Sequence, residues 1–280
     1  MNARLPDDLR FGAIALAVTA LERSVDYYQR RLGMELLGRN GSRATLGAGG
    51  RRLLELEERP GAGRDPEAAD LFHFALRVPS RPALARQLAH LMATDTRPTG
   101  ASDHTVSEAL YLRDPDGHGI EFYRDRPRDA WYQGGRVRMD TTALDLDGLL
   151  EDAPASGQGE NGLDPDTVIG HVHLETIDLQ RAKAFYVDRL GLDVTAERPG
   201  ATFMSKGGYH HHLAVNTWGS RTKPARDDRG RIGMLWFEIE LPDQRALTAL
   251  AEAFGAEVRS DQMLVVTDPN GLAIRFVTHA

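Results

Sequence analysis

FGAIALAVTALERSVDYYQRRLG, residues 11–33, aligns without a gap to IGHVHLETIDLQRAKAFYVDRLG, residues 169–191. Each stretch holds a short alternating strand, a turn, and a helix that closes on Arg-Leu-Gly. In the first, Leu21, Val25, Tyr28 and Leu32 recur at spacings of 4, 3 and 4, which puts them on one face of an α-helix. Thr19 and Glu22 stand at capping-box spacing ahead of that face, and Gly33 offers the left-handed residue that ends a helix. Tyr28 and Tyr186 therefore read as core residues rather than catalytic ones.

A second internal pair follows. LFHFALRVPS at 71–80 matches MLWFEIELPD at 234–243, and each leads into a segment rich in Ala and Leu. Each then reaches a similar turn and strand, Asp114-Pro-Asp-Gly-His-Gly-Ile-Glu-Phe in one and Asp268-Pro-Asn-Gly-Leu-Ala-Ile-Arg-Phe in the other. Asp-Pro followed by Asx-Gly is turn chemistry: proline presets φ and glycine accepts the left-handed position. The chain thus reads as α+β, with four βαβββ modules at about 11–58, 70–125, 168–218 and 232–278. Modules 1 and 2 occupy 1–125, a linker occupies 126–167, and modules 3 and 4 occupy 168–280. The linker is expected to carry a short helix near Leu144–Asp152 and a flexible stretch from Ala155 to Gly162.

Size and composition agree with a globular chain of two similar domains: 280 residues, 41% hydrophobic and 27% charged. Acidic residues outnumber basic ones, 41 to 34, so there is no basic stripe to neutralise phosphates, and nucleic acid is not expected as a partner. No apolar run approaches the roughly 20 residues that span a bilayer, so neither is a membrane, and a cytoplasmic protein is expected. The absence of cysteine removes thiolate nucleophiles, iron–sulfur clusters and thiolate-bound zinc. Any metal must be held by nitrogen and oxygen.

Aligning the four first strands puts Ala13, His73, His171 and Trp236 at one equivalent position. Aligning the last strands of modules 2 and 4 through their Asp-Pro turns sets Glu121 opposite Arg275. A lone strand histidine is usually packing or surface. Two histidines and a glutamate at repeat-equivalent places form a set that leaves three corners of an octahedron open, which suits iron(II) oxygen chemistry.

Tyr111-Leu-Arg-Asp114-Pro-Asp-Gly-His-Gly-Ile-Glu121 resembles the Tyr-x-x-Asp-Pro-x-Gly segment of the vicinal oxygen chelate superfamily, and in particular of type I extradiol dioxygenases of the catechol 2,3-dioxygenase kind. His73-Phe-Ala-Leu-Arg-Val and His171-Val-His-Leu are similar to the two strands that carry the family's ligand histidines. The resemblance covers nearly the whole chain and implies half-barrel domains built from the βαβββ modules. It also implies iron(II), or manganese(II) in its place, bound by His73, Glu121 and His171. Tyr209-His-His-His-Leu-Ala-Val215 is similar to the strand holding the family's acid/base histidine, which points to His211, or to His212 if the register shifts by one. Strand alternation would put His210 and His212 on one face and His211 on the other. A third family histidine lies nine residues before the tyrosine; His104 lies seven before Tyr111, in the length by which module 2 exceeds module 4. His104 is either part of the site or a solvated loop residue. His173 shares the strand face of His171 as a neighbour or a packed histidine, and Trp131 and Tyr132 read as pocket lining or packing.

The activity implied is ring opening of a catechol-type aromatic by dioxygen, with Tyr111 on a catecholate oxygen and His211 taking and returning a proton. A glyoxalase-type isomerase or lyase on the same scaffold would want a second carboxylate where this chain has His-His-His. A metal-free binding protein would lack the ligand set. Pairing modules by chain order would separate His171 from His73 and Glu121, so the expectation is that modules 2 and 3 share one cup and modules 1 and 4 form its metal-free counterpart. Exchange between subunits of a homo-oligomer is the other way to meet that demand.

Overall fold

A computed structural model of the chain describes residues 5–153, 162–224 and 230–278. Module 1 runs β1 (Arg10–Val18), α1 (Leu21–Asp26), β2 (Glu35–Asn40), β3 (Arg43–Ala48) and β4 (Arg51–Glu58). Module 2 runs β5 (Leu71–Arg77), α2 (Arg81–Ala93), β6 (Gly100–Asp103), β7 (Ser107–Arg113) and β8 (Gly119–Asp125). The linker holds β9 (Tyr132–Gln133), β10 (Arg136–Val137), β11 (Thr142–Ala143) and the helix α3 (Leu146–Leu150). Module 3 runs β12 (Val168–Glu175), α4 (Leu179–Lys183), β13 (Asp193–Arg198), β14 (Ala201–Ser205) and β15 (Leu213–Asn216). Module 4 has β16 (Gly233–Leu241), α5 (Gln244–Phe254), β17 (Met263–Thr267) and β18 (Ala273–Thr278).

Module 4 is thus βαββ, one strand short of expectation. Gly255 turns out of α5 in the left-handed region, and the chain from there to Met263 is spent on an exposed turn in which Arg259 bonds to the Met263 carbonyl. The linker helix falls within the expected span. The stretch expected to be flexible lies, apart from Gly162, outside the described residues.

The apolar face read from module 1 is real: Leu21, Val25, Tyr28 and Leu32 are all buried. Its expected capping box is not formed. Thr19 donates its hydroxyl to Asp116 at 2.7 Å, Glu22 pairs with Arg39, and the Leu21 amide is taken instead by the Glu58 carboxylate at 2.8 Å. In module 3, by contrast, Asp178 caps its own helix, accepting from Gln180 and Arg181 at 2.8 and 3.1 Å. The Arg-Leu-Gly ends share a feature that sequence spacing does not reveal, a widened π-type turn over Tyr27–Arg31 and over Ala184–Arg189. Gly33 and Gly191, at φ 78° and 77°, then release the chain.

The chain divides into two compact units, Met1–Ala17 with Gly61–Phe72 and Gly170–Ala280, and Val18–Pro60 with His73–Ile169. In the second, strands run β11-β6-β7-β8-β5 and β4-β3-β2, with the parallel step from β8 to β5 placing Ala75 beside Glu121. In the first, they run β12-β15-β14-β13 and β17-β18-β16-β1, and the parallel step from β16 to β18 places Glu238 beside Arg275. Each unit therefore holds a sheet in which a module's first strand lies parallel to its last, the arrangement that brings repeat-equivalent side chains to the sheet centre. No helix among the described residues is long and apolar enough to cross a membrane.

Candidate metal centre

The second unit supplies one half of the expected site. His73 Nε2 lies 2.9 Å from Glu121 Oε2, both side chains buried among strands with no thiol donor to compete. Antiparallel pairing sets Tyr111 directly across from Glu121, so the two side chains share a sheet face. Burial, reinforced by the Glu121 charge and a hydrogen bond to it, pushes the Tyr111 phenol well above its ordinary pKa and keeps it protonated.

His104 is drawn into this group. Its Nε2 is 2.6 Å from the Tyr111 hydroxyl and its Nδ1 is 3.1 Å from the Thr141 hydroxyl. One ordering satisfies every member: Thr141 donates to Nδ1, Nε2–H donates to the Tyr111 oxygen, and Tyr111 donates to Glu121. The imidazole is fixed by a tight hairpin between β6 and β7. His104 N bonds to the Ser107 carbonyl at 2.8 Å, and Thr105 adopts φ 70°, strained for a β-branched residue, with its amide held by Asp103 at 2.9 Å. His104 is half-buried in the loop between β6 and β7 and is held through both ring nitrogens. Thr141 was not foreseen, since nothing in the linker's pattern marks it.

The first unit holds the remaining expected residues. His171 and His173 lie on one face of β12. The His171 ring has the His211 ring 4.3 Å away, centre to centre. His212 turns elsewhere, its Nδ1 2.8 Å from the Ser205 hydroxyl and accepting from the Lys206 amide at 3.3 Å. The alternation expected across Tyr209–His212 fails because these residues precede β15 and are not extended strand. His210 instead turns its Nδ1 to within 2.8 Å of the His211 Nδ1, so one of the two nitrogens carries the shared proton. His173 is tied to Asn216 Nδ2 at 3.0 Å and packed edge-on by Phe72 and Trp218. Trp131 is buried packing that gives its indole N–H to the Arg126 carbonyl, and Tyr132 is exposed.

The model of the Glyoxalase/Bleomycin resistance protein/Dioxygenase superfamily matches residues 10–122 and 168–276. The chain belongs to this superfamily. It is 40% identical over 287 residues to a catechol-2,3-dioxygenase of Bacillus subtilis (strain 168), covering 97% of this chain and 98% of that one. Similar solved structures include one from Bacillus subtilis subsp. subtilis str. 168, provisionally described as a dioxygenase (TM-score 0.66, 13% identity, 96% of this chain and 84% of that one). Glyoxalase I from Zea mays is another (TM-score 0.55, 15% identity, 97% and 92%). At these identities the structures speak to the superfamily fold alone.

Within this superfamily member, module 4 places other side chains at the equivalent positions. Trp236 occupies the place of His73 and Arg275 that of Glu121, and the Arg275 guanidinium lies over the Trp236 ring at 3.8 Å. Glu238, buried nearby, spends an oxygen on the Ala13 amide at 3.1 Å.

Proposed function

We propose that this protein is an extradiol ring-cleaving dioxygenase that opens a catechol-type ring with dioxygen, using iron(II) held by His73, Glu121 and His171. The observation that carries the reaction class is the 40% identity to a catechol-2,3-dioxygenase across nearly the whole of both chains. The donor chemistry supports it: His73, Glu121 and His171 are all buried, two imidazoles and a carboxylate with no sulfur from cysteine in the chain. The ligands come from modules 2 and 3, so we assign the metal cup to those modules, with modules 1 and 4 as its ligand-free counterpart.

His73, Glu121 and His171 would hold iron(II), which would supply Lewis acidity toward the catechol oxygens and a route for electrons between catechol and dioxygen. The chain's own residues manage protons and orientation. Tyr111, held protonated, donates to a catecholate oxygen, and His104 keeps the phenol pointed by bonding its oxygen. His211, beside His171, takes the second hydroxyl proton and later returns it, and the His210 contact fixes which of its nitrogens is free to do so. Both oxygen atoms enter the ring-opened product.

The test is anaerobic loading with iron(II), and separately manganese(II), followed by a panel of catechols with dioxygen uptake and product absorbance recorded together. Equimolar uptake and ring-opened product are expected with iron. Metal retention without turnover of any catechol, together with turnover of a hemithioacetal, would replace this reading by an isomerase of the same fold.

A further inference from the structure

The two Asp-Pro turns offer an internal control on what folding requires. In module 4, Asp268 accepts from the amides of Asn270 and Leu272 at 2.9 and 2.8 Å and from the Tyr186 hydroxyl at 2.9 Å. In module 2, Asp114 accepts from the amides of Asp116 and His118 at 3.0 and 2.8 Å and from the Tyr28 hydroxyl at 3.0 Å. The backbone closures match as well, Asp268 N to the Leu272 carbonyl at 2.9 Å and Asp114 N to the His118 carbonyl at 3.0 Å. The turn is complete in module 4 with an apolar residue at its fifth position. Module 2 puts a histidine there.

His118 is almost wholly buried, its Nδ1 2.8 Å from Asp114 Oδ2, while its Nε2 meets no partner among the described residues. A buried imidazole satisfied on one side only costs free energy that leucine would not. The extra bond joins the end of β7 to the start of β8. The pairs that follow are Arg113 with Gly119, Leu112 with Ile120, and then Tyr111 with Glu121. The clamp thus sits three residues along each strand from the pair that contributes a carboxylate and a phenol to the proposed site, in the module that has the proposed ligands and not in the one that lacks them.

We infer that His118 is a positioning residue for Glu121, locking the β7–β8 hairpin through Asp114 so that the carboxylate is held ready for the metal. This rests on Glu121 being a ligand, as proposed above. Partners that orient a ligand typically change metal affinity by about 10–100-fold when removed.

The decisive variant is His118→Leu, which installs the residue that module 4 already tolerates. Iron(II) affinity would be measured anaerobically by competition with a chromophoric chelator, alongside the melting temperature of the iron-free protein. The expected result is an unchanged or higher melting temperature with affinity down about 10-fold or more. His118→Asn, which can still donate to Asp114, should recover most of the affinity, and Leu272→His should leave it unchanged. Parent-like affinity in His118→Leu overturns the inference while leaving the site intact, and so does a drop in melting temperature large enough to account for the iron loss. A parent protein that holds no iron overturns the site itself.

Discussion

Modules 2 and 4 share a backbone plan and differ in what they place at its centre. In one, His73 and Glu121 meet at 2.9 Å; in the other, Arg275 lies over Trp236 at 3.8 Å. Both use a parallel step from the module's first strand to its last, and both anchor the preceding turn with a tyrosine hydroxyl donated to an aspartate, Tyr28 to Asp114 and Tyr186 to Asp268. The frame is therefore indifferent to the chemistry it carries. The same two positions close on each other as a carboxylate and an imidazole, or as a guanidinium and an indole, and only the first combination can hold a divalent metal.

The most severe way to break that contrast is to transplant it. Replacing His73 by Trp and Glu121 by Arg gives module 2 the pair of module 4. Iron retention and turnover should fall to background while the circular dichroism spectrum stays parental. His171→Ala should have the same effect on iron with less change in volume. Parental iron content in either variant removes the substituted residues from the site. A smaller effect is expected of His211→Gln: iron retained, and ring opening slowed by roughly 10²-fold, the scale of a lost general acid or base. His212→Gln, which removes the imidazole contacts to Ser205 and the Lys206 amide, should turn over near the parental rate, and the reverse outcome would move the proton-transfer role by one residue.

The repeats were legible in the sequence because core packing and turn chemistry leave local marks: the 4, 3, 4 spacing from Leu21 to Leu32, the glycine stops, and the Asp-Pro turns. The proposed ligand set stood out through those repeats, as the places where alignment put a histidine or glutamate against Ala13, Trp236 or Arg275. Interactions that depend on distant chain segments were not. Thr19 has the spacing of a cap, yet a buried aspartate from module 2 competes for it and a glutamate from β4 replaces it. The missing strand of module 4 was masked by similarity on either side of it. The His210–His211 contact was hidden because alternation applies only to extended strand, and that segment is not extended. His104 could be located by spacing to Tyr111 but not assigned a partner, since Thr141 comes from the linker.

The comparison can be sharpened on the module 4 side. Arg275→Ala removes the guanidinium from the Trp236 ring, and should lower unfolding free energy by about 1 kcal/mol, within the range for a partly desolvated cation–π pair. Iron affinity should not change, because none of the proposed ligands comes from module 4. Denaturant melts paired with iron titration would check both halves. A loss of iron binding equal to that of a ligand variant would mean that modules 1 and 4 are more than a ligand-free counterpart.

The smallest expected effect is a difference of sign between the two turn aspartates. Burial alone would raise the pKa of Asp114, but the charge and hydrogen bond of His118, with further bonds from the His118 amide and Tyr28, hold it below its usual 3.8. Asp268 has the same amides and tyrosine but Leu272 in place of the histidine, so burial prevails and its pKa is raised from 3.8. A depressed carboxylate stabilises the fold above its unfolded value and loses that contribution as pH falls through the folded one. A raised carboxylate does the opposite, stabilising at acid pH and losing its contribution as pH climbs through the raised value. The stability advantage of the parent over Asp114→Asn should therefore grow from about pH 3 to pH 6, while its advantage over Asp268→Asn should shrink over the same interval. Urea melts of the three iron-free proteins across that range give the two slopes directly. Slopes of the same sign would show that His118 does not distinguish the turns electrostatically. Opposite slopes that become alike once His118 is replaced by leucine would trace the difference to that one imidazole.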